Sequence, residues 1–272
     1  MMKSTPMTFR GAPCIQLEHA GSRALVALHG AQLLSFVDAA GQERLFLGER
    51  AEFGPGKAIR GGIPVIFPQF SDRGPWRRHG FARITTWDFA GIEADTALFT
   101  LRGEATDGWP HAYALRLLVG FDPTQLHITL EVHNTGNTAF AFSAALHAYL
   151  RVSDLAAVAL HGLGEHAYQD NSAHAAERPG VAGPLRFEAG VDRVYEAVEA
   201  PLVLHDGTAE LRIEKRGFAD FVVWNPGATG AAGIGDLATG EYRQFVCVEA
   251  GQVRHAVQLA PGARWCGSER IG

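Results

Sequence analysis

The chain has little cysteine and no long apolar run, and the two shortages remove several classes of protein at once. Three cysteines, Cys14, Cys247 and Cys266, are an odd number without C-x-x-C spacing. Neither a disulfide framework nor a cysteine-based zinc module is indicated, and the three read as buried free thiols. No stretch of about 18 uncharged apolar residues offers a membrane-spanning helix. The opening MMKSTPMTFRGAPC lacks the apolar core of a secretory signal, so a cytoplasmic protein without a membrane contact is expected. None of the 12 histidines falls into H-x-x-x-H or H-E-x-x-H, which argues against a metal centre. An excess of basic charge is also missing: the formal net charge is −5, which speaks against nucleic acid as a partner. Sustained helical periodicity and a fixed repeat are absent as well, disfavouring helical bundles and propellers.

What is present is an ordinary globular balance, 47% hydrophobic and 19% charged, over 272 residues. That is enough apolar material for a large core. No Pro/Ser linker or low-complexity stretch divides the chain, so residues 1–272 read as one domain. Short apolar or alternating runs recur throughout, among them QLLSFV, TALFTL, YALRLLVGF, LHITLEV, AFAFSAALHAYL, AELRIEK and QFVCVEA. Their length and their β-branched and aromatic content favour strands. Gly, Asp, Asn and Pro signals separate them, and two hairpins stand out, 113–132 around DPTQ and 201–214 around HDGT, where Asp-Gly suits a positive φ. NSAHAAERPG is the best of a few weak helical candidates. Many antiparallel strands imply a large sandwich or barrel, because two sheets must pack to hide their apolar faces.

Four places could carry chemistry. From Lys57 to Arg83 stand six basic residues, Lys57, Arg60, Arg73, Arg77, Arg78 and Arg83, against the single acid Asp72, a region suited to an anion. Gly61 and Gly62 would let the backbone adopt unusual dihedrals or approach a ligand, and two arginines can grip a phosphate or carboxylate. An arginine taken alone usually lies in solvent; the clustering singles out Arg60 and Arg83, not Arg77 or Arg78. In a strand over 142–150, Ala145, His147 and Tyr149 would share one face. His147 there could transfer a proton near neutral pH, although a lone histidine is more often structural. In QFVCVEAG, Phe245, Cys247 and Glu249 would point one way and Val246 and Val248 the other, on a strand covered on both sides. Glu249 ends that apolar run, where it is either a desolvated base or a carboxylate reaching solvent. Asp192, beside Arg193, says little by itself. Trp76, Trp87, Trp109 and Trp224 are either sugar platforms or core filling.

Taken in order, IRGGIPVIFPQF, HGFAR, LHAYLRVSDL, GLGEHAYQD, VDRVY, FADFVVWNP and FVCVEAG resemble the galactose-mutarotase-like superfamily, and within it the hexose-6-phosphate mutarotase branch. The resemblance implies an all-β, antiparallel β-supersandwich with few short helices and a sugar on its concave face. It makes His147 and Glu249 the proton-transfer pair for anomer interconversion, which needs no cofactor or metal. It further implies that His79 and Gln69 contact the substrate, that Asp192 orients its hydroxyls, and that Arg60 and Arg83 clamp the 6-phosphate of a phosphosugar. The chain departs from the family after PQF and after VVWNP, where the rims read SDRG and GATG; this bears on sugar specificity more than on catalysis. The rival readings are an aldose 1-epimerase for unphosphorylated hexoses and a non-catalytic sugar-binding protein. A monomer is expected.

Overall fold

The computed structural model describes residues 1–207 and 209–272. Among these, the chain forms three antiparallel sheets. A four-stranded sheet runs in chain order through Lys3–Phe9, Ala12–His19, Ser22–Ala27 and Gln32–Val37. One eight-stranded sheet has Phe245–Leu259 at its centre, paired with Asp220–Asn225 on one side and with Phe140–Leu146 and Tyr149–Arg151 on the other. Val191–Glu196 continues it outward beyond Asp220–Asn225. The second eight-stranded sheet includes Tyr113–Phe121, Leu126–Asn134 and Arg264–Ile271 as inner members. This is the antiparallel sandwich that the strand pattern implied.

Alternation explains how the sheets hold together. Leu115, Leu117, Leu130 and Val132 from one large sheet meet Phe142, Leu146, Val223 and Val248 from the other in a common core. Each such side chain, fully buried, contributes roughly 1.5–3 kcal/mol of transfer free energy. The hairpin at 113–132 forms as expected, with Asp122 accepting from the backbone N–H of Thr124 and Gln125 at 2.8 Å, an Asx turn. The hairpin at 201–214 also forms, with Leu202–Asp206 against Ala209–Arg216 and Gly207 at φ +63°; Thr208 of its HDGT turn lies outside the described residues.

Three local expectations are corrected. NSAHAAERPG is not a helix: it holds a single 3₁₀ turn, Asn171–Ala173, followed by the strand Ala176–Arg178. The one α-helix among the described residues, Gly227–Ala231, sits in the small-residue run after VVWNP. The strand over 142–150 is broken: Phe140–Leu146 and Tyr149–Arg151 are separate strands, with the His147 N–H donating to Pro64 O at 3.0 Å in the gap. Glu249 does not end its strand but lies inside the 15-residue Phe245–Leu259, so it does not reach solvent. Among the described residues no helix is long and apolar enough to cross a membrane.

Candidate active site

Strand register assembles the site. Asp192, Trp224, Cys247 and Tyr149 stand opposite one another across four neighbouring strands. Two residues further along the same face run Val194, Val222 and Glu249. Because alternate side chains share a face, both rows point to the side of the sheet away from the common core. His147, in the break before Tyr149–Arg151, stays on that face with its ring stacked on Tyr149 at 5.0 Å. His147 and Glu249 therefore meet although 102 positions separate them: Nδ1 and Oε1 are 3.3 Å apart.

The pair floors a cavity of about 230 Å³ whose walls include Arg60, Arg83, His79, Asp192 and Trp224. Glu249 is 0% and His147 8% exposed. His147 Nδ1 and both Glu249 oxygens have no hydrogen bond among the described residues, so the short approach lacks hydrogen-bond alignment. Burial pulls His147 down to about 3, helped by the charges of Arg83 and Arg60. Burial also pushes Glu249 well above the ordinary carboxylate range, with Asp192 and Glu269 adding to the rise. Burial thus favours the uncharged form of both groups, a carboxylic acid beside a neutral imidazole, and the two titrate as a coupled pair. Such a pair can give a proton at one point of a ligand and take one at another.

Arg60 reaches this cavity through the two glycines that follow it. A Cβ at Gly61 would lie 2.4 Å from Phe46 O, and one at Gly62 2.1 Å from Leu33 O. Their backbones, at φ +110° and +61°, thread between neighbouring segments of the protein rather than approach a ligand. Arg60 is already engaged: Nε donates to Asp236 Oδ1 at 3.2 Å, Nη2 lies 3.1 Å from the same oxygen in an ion pair, and Nη1 donates to the Tyr149 hydroxyl at 3.0 Å. Arg83, on the short 3₁₀ helix Ala82–Ile84, has no acidic partner among the described residues. Its Nε is buried without a hydrogen bond, and burial, with Arg60 contributing, draws its pKa down to about 10. Of the two arginines it is Arg83 that faces the cavity uncompensated.

His79 sits at φ +60°, a left-handed conformation that is uncommon outside glycine and costs of order 1–3 kcal/mol. Its Nδ1 accepts from the Ser71 N–H at 3.2 Å, which leaves the proton of the neutral ring on Nε2; burial, then Arg83, keep the ring neutral. Asp192 accepts from Asn171 Nδ2 at 2.6 Å, and burial raises its pKa.

Gln69 is the exception among the expected substrate contacts. It does not line the cavity; its amide donates to Ser71 O and Trp76 O and accepts from the Trp76 N–H. Every strong group on it braces the 71–76 loop, so it shapes the rim from behind. Of the tryptophans only Trp224 lines the cavity; Trp87 and Trp109 are core. Arg78, expected in solvent, also borders the cavity, ion-paired with Asp72. Tyr149 was visible in the sequence by its i+2 relation to His147. Asn171 and Asp236 carried no motif.

His147, Cys247 and Glu249 place one donor atom each within 4.8 Å of one another, a grouping that sequence spacing did not foreshadow. The positive field of Arg60 and Arg83 that suppresses the imidazolium acts equally against a bound cation. A larger groove of about 380 Å³ lies elsewhere, beside Arg44 and Asp206. There Arg44 is paired with Asp38, Asp206 accepts from Ser153, and Arg151 donates to Leu45 O at 3.3 Å.

Glu269, behind this sheet, is 1% exposed and has no partner for either oxygen among the described residues. Burial raises it well above 4.5. Its contribution to stability is present in full below the unfolded value and is lost as pH rises from there toward the folded value, where the unfolded chain ionises first. Glu269→Gln removes that dependence. The difference in unfolding free energy, variant minus wild type, measured by denaturant unfolding, is expected to grow more positive from about pH 4.5 upward, by about 1.4 kcal/mol for each pKa unit of the rise; a difference flat with pH would mean that Glu269 titrates in the fold as it does in the unfolded chain.

Residues 13–271 match the Aldose 1-epimerase family. A Cenchrus ciliaris protein named "Putative glucose-6-phosphate 1-epimerase" is 36% identical over 260 residues, covering 89% of this chain and 78% of that protein. One of the same name from Salmonella typhimurium is 34% identical over 250 residues, covering 86% and 81%. The crystal structure of a "putative mutarotase" from Salmonella typhimurium superposes with a TM-score of 0.88 at 29% identity, covering 98% of this chain and 92% of that one. By family match and by identity over most of its length, this chain belongs to the aldose 1-epimerase family.

Proposed function

We propose that this protein interconverts the α and β anomers of aldohexose 6-phosphates, chiefly D-glucose 6-phosphate, with His147 and Glu249 as the proton-transfer pair. The observation that carries the reading is the combination in one cavity of two buried proton carriers, with His147 Nδ1 and both Glu249 oxygens free of hydrogen bonds, and a guanidinium, Arg83, without an acidic partner among the described residues. A hemiacetal opens when its C1 hydroxyl loses a proton and its ring oxygen gains one. The C1–C2 bond then rotates and the aldehyde closes from its other face. One base and one acid suffice, each worth typically 10²- to 10⁴-fold.

Glu249 takes the hydroxyl proton and His147 protonates the ring oxygen, with roles reversed on closure. Burial favours the proton on Glu249 over the imidazole. A phosphate at Arg83 and Arg60 offsets the positive field that adds to burial in depressing His147, which favours the charge-separated form with the proton on the imidazole and the carboxylate ready to act. Substrate charge thereby prepares the catalytic protonation state. His79 Nε2–H and Asp192 hold sugar hydroxyls, and Trp224 offers an apolar wall. An unphosphorylated hexose would use the same pair, but it would leave Arg83 buried and unneutralised, which disfavours it as the main substrate. The names of the relatives support the phosphosugar reading.

Anomer-exchange NMR on glucose 6-phosphate and on glucose, with EDTA present, tests the reading. Enhanced exchange for the phosphosugar, and much less for glucose, is the expected result. Enhancement for glucose alone would move the protein to free hexoses, and none for either would leave a binding protein.

A further inference from the structure

We propose that Asp236 is the positioning residue of the anion clamp, aiming Arg60 into the cavity and setting the clamp's charge; the proposal rests on the phosphosugar reading above. Arg60 has five N–H groups. Two of them, on Nε and Nη2, meet the single oxygen Asp236 Oδ1, and a third, on Nη1, meets Tyr149. The guanidinium is planar, so these three contacts fix its orientation and leave N–H groups on both terminal nitrogens for a ligand. Tyr149 is itself stacked on His147, which ties the set of the arginine to the catalytic floor.

Asp236 is held for this task by its own segment. Leu237 is buried against the Phe46, Tyr149 and Phe245 cluster. Glu241, 4% exposed, accepts from the Ala238 N–H at 2.6 Å and from the Glu49 N–H at 2.8 Å. On the other side of Asp236, Ile234 reaches the cavity wall. The carboxylate is thus anchored behind Arg60, while the cavity is lined by the arginine and not by Asp236.

The charge has a second consequence. Arg60 and Arg83 face one small cavity and repel, which adds to the burial that lowers the pKa of Arg83. Asp236 neutralises one of the two, so the empty clamp carries one uncompensated charge instead of two. A phosphate monoester still binds, but less tightly than two free guanidiniums would hold it, and the product anomer, with the same phosphate, leaves correspondingly faster.

Two substitutions separate aim from charge. Asp236→Asn keeps an oxygen for Nε and Nη2 but removes the charge, and Asp236→Ala removes both. With glucose 6-phosphate, Asp236→Asn is expected to lower KM by about tenfold and to make inorganic phosphate an inhibitor about tenfold more potent. Asp236→Ala is expected to raise KM for the phosphosugar, because Arg60 loses its orientation. KM and phosphate inhibition unchanged in Asp236→Asn, or weakened alike in both variants, would overturn the proposal while leaving the clamp intact. A wild-type protein that is indifferent to inorganic phosphate and to the phosphate of its substrate would overturn the clamp and this proposal together.

Discussion

Glu249→Gln is expected to lower kcat for glucose 6-phosphate anomer exchange by about 10²- to 10⁴-fold while the variant still binds the phosphosugar. Glutamine matches the carboxyl group in size and cannot take a proton, so the change isolates proton transfer from packing. The site favours such a clean result. Glu249 has no hydrogen bond to lose among the described residues, and the amide replaces a group whose uncharged form burial already favours. Thermal stabilisation by glucose 6-phosphate, following RT ln(1 + [L]/Kd), reports whether the pocket still fills. A variant with near-wild-type exchange would remove Glu249 from the mechanism. Loss of both exchange and ligand-induced stabilisation would assign it to binding instead. His147→Asn is expected to behave in the same way, since the acid and the base act as one unit and losing either disables both directions of the ring opening.

The fold was legible because alternation is a local signal. Each strand of the common core shows its inward residues at every second position, as Leu115, Leu117 and Val119 do, and turn chemistry such as the Asx turn at Asp122 marks where a strand reverses. The same alternation put His147 with Tyr149 and Cys247 with Glu249 on common faces, and it survived the break in the strand at His147 because the side-chain order did not change. What a single sequence lacks is register. Nothing local states that Val222 lies opposite Glu249 or that Trp224 lies opposite Cys247, and the meeting of His147 with Glu249 follows from those pairings. The small-residue run 227–235 gave no periodicity to read, so both its short helix and the arrival of Asp236 behind Arg60 went unseen. Gln69 was misplaced for a related reason: a motif marks a conformation as readily as a contact, and its amide serves the loop that shapes the rim.

Arg83→Met is expected to reduce kcat/KM for glucose 6-phosphate by about 10- to 150-fold, the equivalent of a charge-assisted hydrogen bond worth roughly 1.5–3 kcal/mol, and to leave glucose turnover unchanged. Methionine keeps most of the apolar stem and deletes only the head group. Arg83 is a better probe than Arg60, whose removal would also strand Asp236 and the Tyr149 hydroxyl. Arg83 offers no such complication, for its one hydrogen bond is a long contact to the Arg78 carbonyl at 3.4 Å. The ligand-free variant is therefore expected to melt no lower than wild type, and higher if relief of the desolvated, repelled guanidinium dominates. Lost phosphosugar turnover with retained or raised Tm is the signature of a residue kept for its ligand. Equal losses on glucose 6-phosphate and glucose, or a drop in Tm that accounts for the lost activity, would make Arg83 a structural cation and return the phosphate to another part of the cavity.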